Sequence, residues 1–207
     1  MRKYENSTKK KIREVALKLI TEKGYDNVTL NEICKISGIN KHTFYYYYES
    51  KDDVLREYYK IPCELTSNNF AKIMTEDSNV EKLWMLNKIF IDFIKNSGLS
   101  IVKQILIKNL NDSEVGTFRI NDENKQILKI QIDIVKKAQE AGEILNKTRA
   151  DVLVILLVQQ LHSTALRWCL KNGSFDVEYV SRYFFEVILD VKEEQRKCKD
   201  IDENILF

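Results

Sequence analysis

Apolar residues recur along this chain with the period of an α-helix. Ile12, Val15, Ala16, Leu19 and Ile20 fall at i, i+3, i+4, i+7 and i+8, the stripe of an amphipathic helix. Gly24 follows where a left-handed C-terminal cap is expected. Thr29-Leu-Asn-Glu32 reads as a capping box and predicts a short second helix that buries Leu30, Ile33 and Cys34 and stops at Ser37-Gly38. Asn40 caps a third helix. Ser50-Lys-Asp-Asp53 opens a fourth, with acids in the first turn where the helix dipole favours them. The fourth pattern runs from Asp52 towards Met74 and contains Pro62, which is expected to bend it and to mark a connector between a small N-terminal and a larger C-terminal domain. Further helices are predicted over 80–95, 101–110, 124–141 and 150–171, the last capped by Thr148, and then from an Asp176 cap to about residue 194. A polar stretch with Gly116 separates the second and third of these. Densely charged residues 192–204 are expected to fray. The fold class is all-α, divided into 1–52, 53–195 and a charged tail, 196–207.

Composition agrees with the pattern. One proline and six glycines in 207 residues are too few for an all-β chain that turns every ten residues. With 44% hydrophobic and 31% charged residues, a globular core is within reach without disulfides or metals. Cys34, Cys63, Cys169 and Cys198 form no C-x-x-C pair, which argues against a compact zinc site and suits free thiols in a reducing cytoplasm. Met1-Arg2-Lys3-Tyr4-Glu5 begins no apolar run, and the longest such run, Val152 to Val158, is far short of a membrane span, so a cytoplasmic protein is expected. No G-x-G-x-x-G, Walker A, G-x-S-x-G or H-E-x-x-H occurs, and His42 and His162 are the two histidines. An enzyme is therefore not expected, nor a cofactor.

Charge changes the picture more. The net charge is +2, but residues 1–48 hold ten Lys/Arg against five acids, so the rest of the chain is slightly acidic. A basic end suggests a polyanion-binding module, although small domains also vary by a few charges. Helices two and three, joined at Ser37-Gly38, have helix-turn-helix proportions. On a helical wheel Lys41, His42, Tyr45 and Tyr46 share a stripe about 140° wide, while Thr43, Phe44 and Tyr47 point the other way. The outer stripe offers a cation, an imidazole and two phenols, which suit phosphate oxygens and base edges. No acid occurs from Ile33 to Tyr48 to repel phosphates. A tyrosine-rich packing helix is the alternative, but four consecutive tyrosines point all round and at least two must face solvent or a partner.

Residues 12–55 resemble the N-terminal domain of the TetR family of transcriptional regulators. The resemblance rests on Ala16, Leu19, Gly24, Thr29, Ile33, Ser37-Gly38-Ile39, Thr43-Phe44-Tyr45, Tyr47-Tyr48, Ser50-Lys51 and Leu55. Cys34 and Ser37 stand where the family usually has Ala, and His42 where Gly is common. The resemblance implies double-stranded DNA as partner. Lys41, His42 and Tyr46 would approach base edges, Thr43, Tyr45 and Tyr47 the DNA backbone, Thr29 a phosphate at the start of helix two, and Lys51 would clamp another phosphate. Lys9 to Arg13 would add diffuse attraction.

The resemblance extends more loosely to Gln139-Glu-Ala-Gly142-Glu143-Ile144, Trp168 and Gly173-Ser-Phe175-Asp176. It implies a second domain that binds a small-molecule effector and forms a homodimer, a repressor released from a palindromic operator. Two recognition helices would then lie roughly 34 Å or somewhat more apart. Trp84, Phe90, Phe93, Phe118, His162 and Trp168 are candidates for an effector pocket, suited to an apolar or aromatic effector; at helical spacing they also suit ordinary core. Gln159, His162, Ala165, Leu166 and Cys169 on one helix, and Tyr179, Arg182, Tyr183, Glu186 and Val187 on the last, are candidates for the dimer seam, against intramolecular core or plain surface. An effector-independent DNA-binding protein, activating or nucleoid-associated, is the alternative function.

Overall fold

The N-terminal apolar stripe closes a small helical unit around itself. This computed structural model describes residues 7–56, 71–73, 75–111, 122–202 and 205. α1 (Ser7–Lys23) buries Ile12, Ala16, Leu19 and Ile20 and packs against α2 (Leu30–Ser37) and α4 (Lys51–Arg56). Val15 and Leu30, expected on the buried faces, are half-buried. Thr29 caps α2, its Oγ1 accepting from the Glu32 N–H at 3.2 Å. Gly38 ends α2 at φ 69°, ψ 33°, the left-handed conformation that favours glycine and lets α3 (Lys41–Tyr47) turn back onto α2. Asn40 caps α3 through its Oδ1, which accepts from the Thr43 N–H at 2.8 Å. Ser50 and Asp53 cap α4 reciprocally, the Asp53 N–H donating to Ser50 Oγ and the Glu49 N–H to Asp53 Oδ2, each at 3.0 Å. Pro62 and its expected bend lie outside the described residues.

The predicted helices over 80–95 and 101–110 form one run, α5 (Asn79–Asn111), broken at Gly98, whose φ 75°, ψ 164° is not helical. The chain divides into two compact units: Met1–Ile61 with Ser97–Thr117, and Pro62–Asn96 with Phe118–Phe207. The second half of α5 thus belongs with the N-terminal helices, a placement that the expected division at residue 52 does not contain.

In the second unit, α6 (Asp122–Glu140), α7 (Ala150–Leu170) and α8 (Val177–Leu189) pack in sequence, α7 against both neighbours. The Gln139–Ile144 motif acts as a brace. Glu143 accepts from Ser78 Oγ at 2.9 Å, Asn79 Nδ2 at 2.6 Å and the Val80 N–H at 3.1 Å, and so caps α5 from outside. Gln139 Nε2 donates to the Asn146 and Thr148 carbonyls at 2.7 and 2.9 Å. Thr148 does not cap α7: the N-cap is Arg149, whose side chain bonds the Asp151 carboxylate rather than a backbone N–H of the first turn. Asp176 does cap α8, accepting from the Glu178 and Tyr179 N–H groups.

α8 ends earlier than predicted. Asp190 takes a left-handed conformation at φ 50°, and Val191 forms an antiparallel bridge with Ile144. The tail does not fray there, because buried polar groups of α8 need it. Glu186, 1% exposed, accepts from Arg182 Nε at 2.5 Å and from the Lys197 and Cys198 N–H groups at 2.9 and 3.1 Å. Tyr179 Oη donates to the Asp200 carbonyl at 2.8 Å, and Cys198 is buried, its thiol pushed up to about 11 chiefly by burial.

Candidate nucleic-acid interface

α3 separates two kinds of side chain. Phe44 is fully buried, and Tyr48, just past the helix end, is 3% exposed. Tyr48 Oη donates to the Lys9 carbonyl at 3.2 Å, Lys9 Nζ lies 5.4 Å from the Tyr48 ring centroid, and the Phe44 and Tyr48 rings meet at 5.9 Å. These contacts pin α3 to the start of α1. Tyr48 was legible as Phe44 plus four, one turn along the buried face.

The opposite face is open. Lys41, His42, Tyr45 and Tyr46 are all exposed, the two tyrosines at 57% and 77%. Tyr46 meets Tyr47 edge-on at 4.8 Å and Tyr45 meets the buried Phe44 edge-on at 5.8 Å, so both exposed rings are braced from beneath. Tyr47 and Thr43 are half-buried, and Thr43 Oγ1 donates to Asn40 Oδ1 at 3.0 Å, which leaves its hydroxyl lone pairs to accept rather than its hydrogen to donate. Thr29 is exposed at the start of α2. Glu32 pairs with Lys23; that hydrogen bond, helped by the Thr29 N–H, holds its carboxyl below the usual range against burial.

Lys51 stands differently from the phosphate clamp expected of it. Its Nζ donates to the Tyr25 and Val28 carbonyls at 2.6 and 2.8 Å and sits 3.9 Å from the Tyr25 ring centroid. Two of its three donors therefore tie down the loop between α1 and α2. Burial lowers its pKa, against the pull of Asp26 and Asp52. Tyr25 and Asp52 did not stand out in the sequence; burial, then the charges of Asp52 and Asp26, raise the Tyr25 phenol, which also hydrogen-bonds Asp52.

Of the effector candidates, the second unit brings Phe90 and His162 together, edge-on at 5.6 Å. Burial lowers the His162 pKa to about 4, so the imidazole is neutral at physiological pH. Phe93 is half-buried. Trp84 is committed elsewhere: it meets Phe185 at 5.3 Å, and Arg182 lies over its ring at 5.0 Å. Trp168 packs on the Gly173 turn, where a Cβ would meet its indole at 3.5 Å. Phe118 lies outside the described residues.

The dimer candidates divide as well. On α7, Gln159 and Leu166 are exposed, His162 is half-buried, and Ala165 and Cys169 are buried inside the protomer. The exposed arc is Val152, Ile155, Leu156, Gln159, Ser163, Leu166 and Leu170, rotated by about 70° from the expected stripe. On α8, Tyr179 and Val187 are exposed and Tyr183 half-buried. Arg182 and Glu186 are buried within the protomer. Arg182 is 4% exposed and grips Glu81 through Nη2 and Nη1 at 2.7 and 3.2 Å, with the tail closing over Glu186.

Among the described residues no group of three or more His, Cys, Asp or Glu is placed to hold a metal ion.

The family model described as bacterial regulatory proteins, tetR family, matches residues 12–58, and that described as YsiA-like protein, C-terminal region, matches residues 63–191. The fatty acid metabolism regulator protein of Bacillus subtilis (strain 168) is 24% identical over 182 residues, covering 85% of this chain and 91% of that protein. The biofilm operon icaADBC HTH-type negative transcriptional regulator IcaR of Staphylococcus aureus (strain Newman) is 27% identical over 160 residues, 76% of this chain and 83% of that one. The crystal structure of the transcriptional regulator FadR from Bacillus subtilis in complex with stearoyl-CoA superposes with a TM-score of 0.61 at 23% identity, covering 87% of this chain and 97% of that chain.

Proposed function

The chain belongs to the TetR family of bacterial regulatory proteins, and from that premise we propose that it is a ligand-responsive DNA-binding repressor, as the IcaR and FadR relatives support, whose residues divide the task as follows. α3 enters the major groove with Lys41, His42 and Tyr46 at base edges and Tyr45 against the sugar-phosphate backbone. Thr29, with the start of α2 behind it, and the Tyr47 side chain meet phosphates, while Thr43, its hydroxyl hydrogen held by Asn40, lies against the DNA backbone without donating to it. The observation that carries this reading is the exposure of Lys41, His42, Tyr45 and Tyr46 on one side of a helix whose other side is closed by Phe44.

Two copies pair through the exposed arc of α7 and through Tyr179, Tyr183 and Val187 of α8. Five of the seven arc positions are large apolar residues, a face that water does not favour. Two-fold pairing presents two α3 helices to a palindromic operator, and meeting the chromosome places the protein in the cytoplasm. The effector carries a long apolar chain, as an acyl-CoA thioester does. The neutral His162 beside Phe90 supports this, as does stearoyl-CoA in the FadR neighbour.

The test begins with a duplex selected by the protein from a random-sequence pool. Tyr45→Ala should weaken binding to it at least about ten-fold, the size of a good base or backbone contact, with an unchanged melting temperature. A well-folded Tyr45→Ala protein with unchanged affinity refutes the interface. Stearoyl-CoA should release the duplex where CoA alone does not; retention under both refutes the effector class and leaves the DNA reading standing.

A further inference from the structure

The Lys51 ammonium grips the backbone immediately before Thr29. The Val28 carbonyl it holds is one residue from the α2 cap, and the Tyr25 carbonyl fixes the other side of the same loop. The Tyr25 ring lies against the ammonium and the Tyr25 phenol hydrogen-bonds Asp52. Asp52 in turn pairs with Lys108 of α5 at 2.9 Å. All these residues belong to the first unit. The contacts form a continuous chain from the second half of α5 to the DNA-facing end of α2.

We propose that Lys51 is a positioning residue rather than a phosphate clamp: by holding the Tyr25 and Val28 carbonyls it sets the N-terminal end of α2, and Tyr25 and Asp52 tie that end to Lys108 on α5. The proposal rests on the DNA reading above. An ammonium with two donors on carbonyls and an aromatic ring beneath it is spent on the loop. Releasing it to a phosphate would take the Lys51 donor from the Val28 carbonyl and leave the Tyr25 carbonyl with the Val28 N–H at 3.3 Å in place of two donors. The side chain therefore acts on DNA through Thr29.

The two roles differ in their salt dependence. A lysine that neutralises a phosphate contributes about 0.9 to the slope of log affinity against log salt concentration, whereas a positioning lysine contributes nothing to it. Binding is measured by fluorescence anisotropy on the selected duplex over a range of salt concentrations. Lys51→Met is expected to weaken binding at least about ten-fold with the wild-type slope, and Lys51→Arg, which can serve both carbonyls, to restore most of the loss. Thr29→Ala should cost much less in the Lys51→Met background than in the wild type, because the end of α2 is already displaced. A slope shallower by about 0.9 in Lys51→Met, or additive losses in the double variant, overturns the proposal. Should Lys51→Met not fold, Lys108→Met removes the far end of the chain, and a loss of about two- to five-fold at unchanged slope is expected. Wild-type affinity in Lys108→Met overturns it. If the wild type selects no duplex at all, the DNA reading itself has failed and this proposal fails with it.

Discussion

Replacing Arg182 with methionine should be among the most damaging single changes in the second unit. Its side chain is 5% exposed and that of Glu186 1%, and between them they hold the tail, through the Lys197 and Cys198 N–H groups, and Glu81 of α5. Arg182→Met leaves Glu186 buried with its cation gone. It also removes the cation from over the Trp84 and Phe185 rings, at 5.0 and 5.3 Å. Breaking one partner of a buried pair costs about 3–5 kcal/mol. For a chain of this size that is a fall of about 6–20 °C in melting temperature, at about 2–4 °C per kcal/mol. Glu81 has a second partner, Lys197 at 3.2 Å, so its share of the loss is smaller. The double variant Arg182→Met, Glu186→Gln removes both charges and keeps one amide oxygen for the tail N–H groups, so it should melt above Arg182→Met alone. Circular dichroism melts at one fixed protomer concentration give both numbers. A single variant within about 2 °C of wild type, or a double variant below the single, refutes the reasoning. The pH dependence has a definite sign. Burial pushes the Glu81 carboxyl up, but the Arg182 and Lys197 hydrogen bonds and charges outweigh it and hold it below its ordinary value. A depressed carboxylate contributes stability above its unfolded pKa of about 4.3 and loses it as pH falls through the folded value, so acid should narrow the gap between wild type and Arg182→Met.

Three further outcomes follow from single residues. Ser37 is 2% exposed and its Oγ has no hydrogen-bond partner among the described residues, so Ser37→Ala should raise stability by about 0.5–2 kcal/mol in a urea melt; a less stable variant would show that the hydroxyl is used. His162 should stay neutral down to about pH 4 in an NMR titration, and with its folded pKa depressed by burial the stability it contributes is complete above about pH 6.5 and falls away below it; an imidazole titrating near 6.5 contradicts this. Gly98→Ala should cost about 1–3 kcal/mol through backbone strain alone, since φ 75°, ψ 164° is all but closed to other residues while a Cβ there meets Thr21 at an ordinary 3.9 Å; a neutral or stabilising substitution would show that α5 runs straight.

The sequence showed the phase of α3 because that helix has one wholly apolar anchor. With Phe44 fixed inward, a 3.6-residue period puts Lys41, His42, Tyr45 and Tyr46 outward with no further information. Caps were legible for the same local reason: Thr29, Asn40, Ser50 and Asp176 each bond a backbone N–H two or three residues ahead. Thr148 failed because Gln139, nine residues back, holds its carbonyl and Asn146 takes its N–H, so the turn is finished before α7 starts.

α7 defeated the same method for a physical reason. A helix apolar nearly all round has almost no amphipathic direction, so choosing its outward side from sequence is close to arbitrary. Packing against α6 and α8 decided it instead, burying Ala165 and Cys169 and leaving Val152, Ile155, Leu156, Leu166 and Leu170 outside. Long polar side chains were the other blind spot. Lys51 finds carbonyls 23 and 26 residues away, Glu143 caps a helix more than 60 residues earlier, and Arg182 reaches Glu81 across 101 residues. A flexible charged side chain at the surface of one helix looks the same in sequence whether it meets solvent, DNA or a neighbouring loop. At Lys51 that ambiguity falls between two functional roles, and the salt slope separates them because only a phosphate contact releases counterions.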